Sequence, residues 1–132
     1  MTKQIKKVGV IGAGTMGAGI AGQVANAGTE VWLLDLPSNS ENVNMLSAKG
    51  LERLKDPDMP GLMSEEAEKL INLGNTRDHF HELEDCDWIA EAVVERLDIK
   101  QALYRRLNDT CKESTIITSN TSTIPIRLLT ED

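Results

Sequence analysis

The feature that most restricts how this chain can fold is a cluster of glycines, Gly12-Ala13-Gly14-Thr15-Met16-Gly17, set between a β-branched run and a helical one. Lys7 to Ile11 (KVGVI) has the short, apolar character of a strand buried on both faces. From Thr15 onward Met16, Ile20, Val24 and Ala27 recur at helical spacing, and Gly28 supplies a stop signal. Glu30 to Leu36 (EVWLLDL) returns to a strand that Pro37 closes. A strand, a glycine turn, a helix and a second strand in this order predict two parallel strands joined by a right-handed helical crossover.

The cluster fits the spacing G-x-G-x-x-G, which carries weight here because of its context: it follows a predicted strand and opens a predicted helix. Each glycine answers a separate demand. Gly12 permits the tight turn out of the strand, Gly14 removes any Cβ between the backbone and a pyrophosphate, and Gly17 lets the helix pack closely. The helix N-terminus offers N–H groups and a partial positive charge to the phosphates. Asp35 ends the second strand at about the 20-residue interval at which an acidic residue reaches an adenosine ribose. A carboxylate there accepts from the ribose hydroxyls and repels a 2′-phosphate, so the unit from Lys6 to Asp35 predicts NAD in preference to NADP. Gly19 and Gly22 read as packing glycines.

Beyond Pro37 the chain has helical character up to the next clear strand. It is broken by Asp56-Pro57-Asp58-Met59-Pro60-Gly61 into a pair of helices. Ser64 is the expected N-cap of the second, with Leu70 and Leu73 facing inward and Gly74 ending it; a weak strand signal follows at Asn75 and Thr76. Asp87 to Val94 is a predicted strand, and Asp98 to Cys111 a helix with Ile99, Ala102, Leu103, Leu107 and Cys111 on its inner stripe. Ser114 to Ser119 is the next strand, followed by the polar turn Asn120-Thr121-Ser122-Thr123. The fold class is α/β: a Rossmann-type doubly wound, mostly parallel sheet with a helical hairpin inserted at about residues 38–74.

At 132 residues the chain is expected to form one domain. A net charge of -7 argues against a sequence-independent grip on nucleic acid or on an anionic membrane surface, both of which need clustered Lys and Arg. No run approaches the roughly 18 apolar residues of a membrane helix, and Cys86 and Cys111 read as buried thiols, so the expected location is cytoplasmic. No metal is predicted. His79 and His81 could share one side of an extended segment, but no cysteine or carboxylate stands at ligand spacing, and they read as surface residues.

Three blocks, KKVGVIGAGTMGAGIA (6–21), DWIAEAVVERLDIK (87–100) and STIITSNTST (114–123), together resemble the N-terminal domain of L-3-hydroxyacyl-CoA dehydrogenases in order and spacing. Position by position, the resemblance implies that Glu95 and Lys100 lie near the nucleotide. It places Asn120 near the nicotinamide end and gives Ser122 a hydrogen bond to the substrate's 3-hydroxyl. The residues alone leave plainer readings open: a solvated helix start for Glu95 and Lys100, a capping turn for Asn120 and Ser122.

In that family a histidine, oriented by a glutamate, removes the hydroxyl proton while hydride passes to NAD. It follows the Ser-Asn-Thr-Ser block on a later strand, a position this chain does not reach, and both histidines here precede Trp88. The family's second, helical domain is absent too. The resemblance therefore implies the cofactor domain of a larger β-oxidation enzyme, inactive alone, whose substrate is an acyl-CoA and whose full-length form dimerises. Lys49, Arg53 and Lys55 lie where the family's helical hairpin meets CoA, but as a solvated helix face they need no ligand. Two alternatives remain at this point: another NAD-dependent β-hydroxyacid dehydrogenase, or a non-catalytic NAD-binding relative.

Overall fold

The computed structural model describes residues 5–38, 41–55, 65–92, 97–111 and 115–119. Strand β1 (Lys7–Ile11) leads into helix α1 (Thr15–Asn26) and strand β2 (Glu30–Asp35). Helices α2 (Met45–Leu54) and α3 (Glu65–Lys69) precede strand β3 (Ile71–Asn75). A 3-10 turn (Phe80–Leu83), strand β4 (Trp88–Glu91), helix α4 (Leu97–Thr110) and strand β5 (Ile116–Ser119) complete the described chain.

All five strands pair in parallel, in the order β3-β2-β1-β4-β5. The chain first winds outward from β1 to β3, then returns to add β4 on the other side of β1. That reversal makes the gap between the carboxyl ends of β1 and β4 the switch point at which open α/β sheets bind ligands.

Strand alternation splits the core between the two sheet faces. Val8, Val10, Val31, Leu33 and Ala90 point to one face, where they bury against Ala18, Ala21 and Ala25 of α1, Leu54 of α2 and Ala67 of α3. Ile11, Leu34 and Ile89 point to the other, against Phe80, Leu83, Cys86, and Leu103 and Leu107 of α4. The second face is crowded enough to demand a glycine in β1: a Cβ on Gly9 would come within 2.5 Å of Leu83 Cδ2 and 2.9 Å of Ile89 Cδ1. At the amino edge, Asp87 Oδ2 accepts from the backbone N–H groups of Lys6 (2.8 Å) and Lys7 (3.3 Å), tying the start of β1 to β4.

Several expectations are corrected. The buried stripe of α1 is Ala18, Ala21 and Ala25, whereas Met16 is 57% exposed and Ala27 is exposed beyond the helix end. The helix packs through its alanines because small residues let it lie close to the sheet. Gly19 is not a packing glycine, since a Cβ there would meet nothing within 4 Å. The second helix of the insertion stops at Lys69, so Leu70, Leu73 and Gly74 do not belong to it; Leu73 and Gly74 lie in β3, paired with Leu33 and Leu34. On α4, Tyr104 is buried and Ala102 exposed, which turns the inner stripe by one position. His79 and His81 sit at the 3-10 turn rather than on a strand. His81 is exposed, but His79 is half-buried, stacks on Trp32 with ring centroids 5.6 Å apart, and accepts from the Asn75 N–H at 3.0 Å. Ser64 lies outside the described residues.

Candidate functional site

The strand register brings the sequence blocks to one edge. Leu34, Ile11, Glu91 and Ser119 form a row across four strands, each paired with the next. Immediately beyond that row come Asp35, the glycine loop at Gly12, and Ala92. The parallel sheet therefore brings the glycine loop and Asp35 to the same carboxyl edge, at which β4 and β5 also end.

The loop geometry explains each glycine. Gly12 has φ 105°, a conformation that side chains with a Cβ rarely adopt, and its N–H donates to the Leu34 carbonyl at 2.7 Å. A Cβ on Gly17 would lie 1.6 Å from the Gly12 carbonyl oxygen, so α1 can begin this close to the strand end only with glycine there. Gly14 differs from both. Its φ is −69°, and a Cβ built on it meets nothing within 4 Å, so no protein contact requires a glycine. The space its missing side chain leaves is open at the mouth of the loop.

Helix α1 starts at Thr15 with Gly14 as N-cap, no side-chain cap and no acidic residue in its first turn. Nothing among these groups competes with an anion for the positive end of the helix dipole. Beside the loop, Asp35 is half-buried and accepts from the Ala13 N–H and the Leu36 N–H, both at 2.7 Å. The next residue, Leu36, is 63% exposed and forms an apolar ledge there. Open glycine surface, an uncapped helix start, a carboxylate and an apolar ledge, side by side, fit a dinucleotide.

Helix α2 forms a wall of the same site and is not only the solvated face expected from its charges. Gly50 is buried, and a Cβ on it would come within 2.9 Å of the Ala13 carbonyl oxygen and 3.0 Å of Ala13 Cβ. One turn further on, Arg53 Nη1 donates to that same oxygen at 2.7 Å. The signal was present as a glycine inside a helical pattern followed three residues later by an arginine, which places both on one helix face. Lys55 instead pairs with Glu68 at 2.9 Å.

A second polar centre holds the carboxyl end of β3. The fully buried Asn75 side chain donates to Asn44 Oδ1 (2.7 Å) and Asp78 Oδ2 (3.2 Å), and its oxygen accepts from the N–H groups of Arg77 and Asp78. The Arg77 guanidinium, bonded to Asp78, holds that carboxyl below the usual carboxylate range. These contacts fix the turn that follows Asp35's neighbour in the sheet. Among the described residues no group of three or more His, Cys, Asp or Glu could hold a metal, and no helix is long and apolar enough to cross a membrane. Both cysteines are free thiols, Cys86 buried and Cys111 half-buried.

Of the candidate residues, Gly12, Ala13, Gly14, Met16, Gly17 and Asp35 come together in this site, and Thr15 begins α1 within it. Lys100 lies in the first turn of α4, and Glu95, Asn120 and Ser122 lie outside the described residues.

Fold and site together define a dinucleotide-binding α/β domain. The family described as "3-hydroxyacyl-CoA dehydrogenase, NAD binding domain" matches residues 7–132, and the chain belongs to it. Over 130 residues it is 43% identical to a "Probable 3-hydroxyacyl-CoA dehydrogenase" of Deinococcus radiodurans, covering 97% of this chain and 37% of that protein. It is 38% identical over 130 residues to the mitochondrial hydroxyacyl-coenzyme A dehydrogenase of Rattus norvegicus, covering 92% of this chain and 40% of that protein. The crystal structure of 3-hydroxybutyryl-CoA dehydrogenase from Escherichia coli K12 superposes with TM-score 0.75 and 32% identity, over 96% of this chain and 27% of that one. The chain thus spans well under half the length of these relatives, and its cofactor is NAD.

Proposed function

We propose that this domain is the NAD-holding part of an enzyme that transfers hydride between an L-3-hydroxyacyl-CoA and NAD in fatty-acid β-oxidation. The observation that carries the reading is the glycine loop and Asp35 side by side at the carboxyl edge of the sheet, where the Asp35 carboxylate accepts from the Ala13 N–H. The Gly12 to Gly17 segment, with Ala13, Thr15 and Met16, holds the diphosphate, and Asp35 holds the adenosine ribose. Glu95 and Lys100 stand near the bound nucleotide, Asn120 near the nicotinamide, and Ser122 at the substrate's 3-hydroxyl. When bound, the nicotinamide ring supplies the hydride acceptor. The chain's own residues bind and orient it, and the loop glycines keep side chains away from the phosphates.

Residues 1–132 form this cofactor domain, with the helical insertion lying between β2 and β3. The histidine base, the helical domain that completes the acyl-CoA site and the dimer contact belong to the full-length enzyme. Two free thiols suit a reducing compartment, and the cytoplasm is the location proposed. Titration with NADH and an acetoacetyl-CoA reduction assay on the purified 132-residue chain test the reading together. Binding without turnover is expected. Reduction of acetoacetyl-CoA by this chain would refute the assignment of the proton-abstracting group elsewhere, and failure to bind NADH would refute the cofactor site.

A further inference from the structure

The backbone of Ala13 is held on both sides by groups of opposite charge. Its N–H donates to Asp35 Oδ2 and its carbonyl accepts from Arg53 Nη1, each at 2.7 Å. The two charged side chains therefore hold the backbone of one loop residue, Asp35 at its nitrogen and Arg53 at its oxygen. The arginine does not drift there on an exposed helix. Gly50, one turn earlier, presses α2 against Ala13 so closely that a Cβ would not fit, which fixes the distance from which Arg53 reaches.

Holding a carbonyl uses one donor, and a guanidinium has five. Among the described residues no carboxylate lies within ion-pair distance of Arg53, so none of them neutralises its charge. An acidic residue at the end of the second strand selects the free ribose hydroxyl, and an arginine beside it accommodates a 2′-phosphate. This site carries both groups.

We propose that Arg53 is a specificity-determining residue at the adenosine ribose, set against Asp35, which lets the domain bind NADP as a second, weaker cofactor. Arg53 supplies planar N–H donors and a positive charge to the 2′-phosphate that Asp35 alone would turn away. With NAD, which lacks that phosphate, the charge has little to act on. Loss of Arg53 therefore weakens NADPH binding far more than NADH binding.

The proposal rests on the loop being a dinucleotide site, and the test separates the two. NADH and NADPH are titrated by fluorescence into the unaltered chain, Arg53→Ala and Arg53→Gln, with melting temperatures measured without nucleotide. The unaltered chain should bind both, NADH more tightly. Both variants should widen the NADPH-to-NADH Kd ratio by about tenfold, as loss of a charged hydrogen bond implies. Arg53→Gln keeps a polar side chain without the charge, and the melting temperatures report whether either variant loosens the loop. If Arg53→Gln leaves the ratio unchanged, or weakens both nucleotides equally, Arg53 is only a clamp on the loop and the proposal is overturned. NADH binding with no detectable NADPH binding to the unaltered chain overturns it as well, while binding of neither removes the dinucleotide site itself.

Discussion

At the scale of single residues, the glycines of one motif are not equivalent, and substitution separates their roles. A Cβ on Gly17 collides with the Gly12 carbonyl, whereas one on Gly14 meets open space. Gly17→Ala should cost about 1–3 kcal/mol by overpacking and lower both the melting temperature and NADH affinity. Gly14→Ala should cost less than about 1 kcal/mol as an N-cap change while still weakening NADH, because its methyl occupies the space reserved for the phosphates. Equal losses of stability in the two variants would contradict the assignment. Buried Cys86 gives a pH prediction. Burial pushes its thiol up to about 12 from an ordinary 9.0, and it pushes Cys111 in the same direction. A raised pKa in the folded state means that folding favours the neutral thiol. The contribution is complete below pH 9.0 and is lost as pH rises toward about 12. Urea unfolding midpoints should fall from about pH 8 to pH 10.5, and less steeply in Cys86→Ala; a midpoint that rises over that window would refute it.

At the scale of elements, much of the architecture was legible because the parallel strands are buried on both faces and so appear as short β-branched runs bounded by glycine or proline. KVGVI was placed to the residue, and EVWLLDL needed trimming only by Leu36. The third strand was legible only as a weak signal at Asn75 and Thr76, not over its full length from Ile71. INLGN mixes two amides and a glycine with its apolar residues, because Gly74 must clear His79, whose Nδ1 would lie 2.8 Å from a Cβ, and Asn75 serves as a buried hydrogen-bonding centre. Tertiary contacts override strand propensity there. On α1 the spacing held in part: Ile20 and Val24 pack against the core at its margin, whereas the most deeply buried positions are the alanines, which let the helix lie close to the sheet. The role of α2 was hidden because charge patterning cannot tell a solvated arginine from one that grips a neighbouring loop. Helix α4, by contrast, is anchored by Leu107, which is fully buried. Leu107→Ala should cost about 2–5 kcal/mol in denaturant unfolding, and a loss under about 1 kcal/mol would show that α4 contributes little to this face of the core.

At the scale of the whole molecule, the sheet carries the glycine loop and Asp35 to one edge, and the sequence alone points to both. Glycine spacing and Asp35 follow general rules of phosphate and ribose recognition, so their assignment needed no relative. Nothing in residue chemistry alone distinguishes Asn120 and Ser122 from a polar turn, and their roles rest on family likeness. The central claim is that these 132 residues form a domain that binds NAD through the glycine loop and Asp35. Calorimetric titration of NADH into the unaltered chain and into Asp35→Asn tests it most directly. Saturable one-to-one binding that Asp35→Asn weakens several-fold is the result predicted. A cooperatively melting chain that releases no binding heat with NADH, and shows no shift in melting temperature at saturating nucleotide, would contradict it.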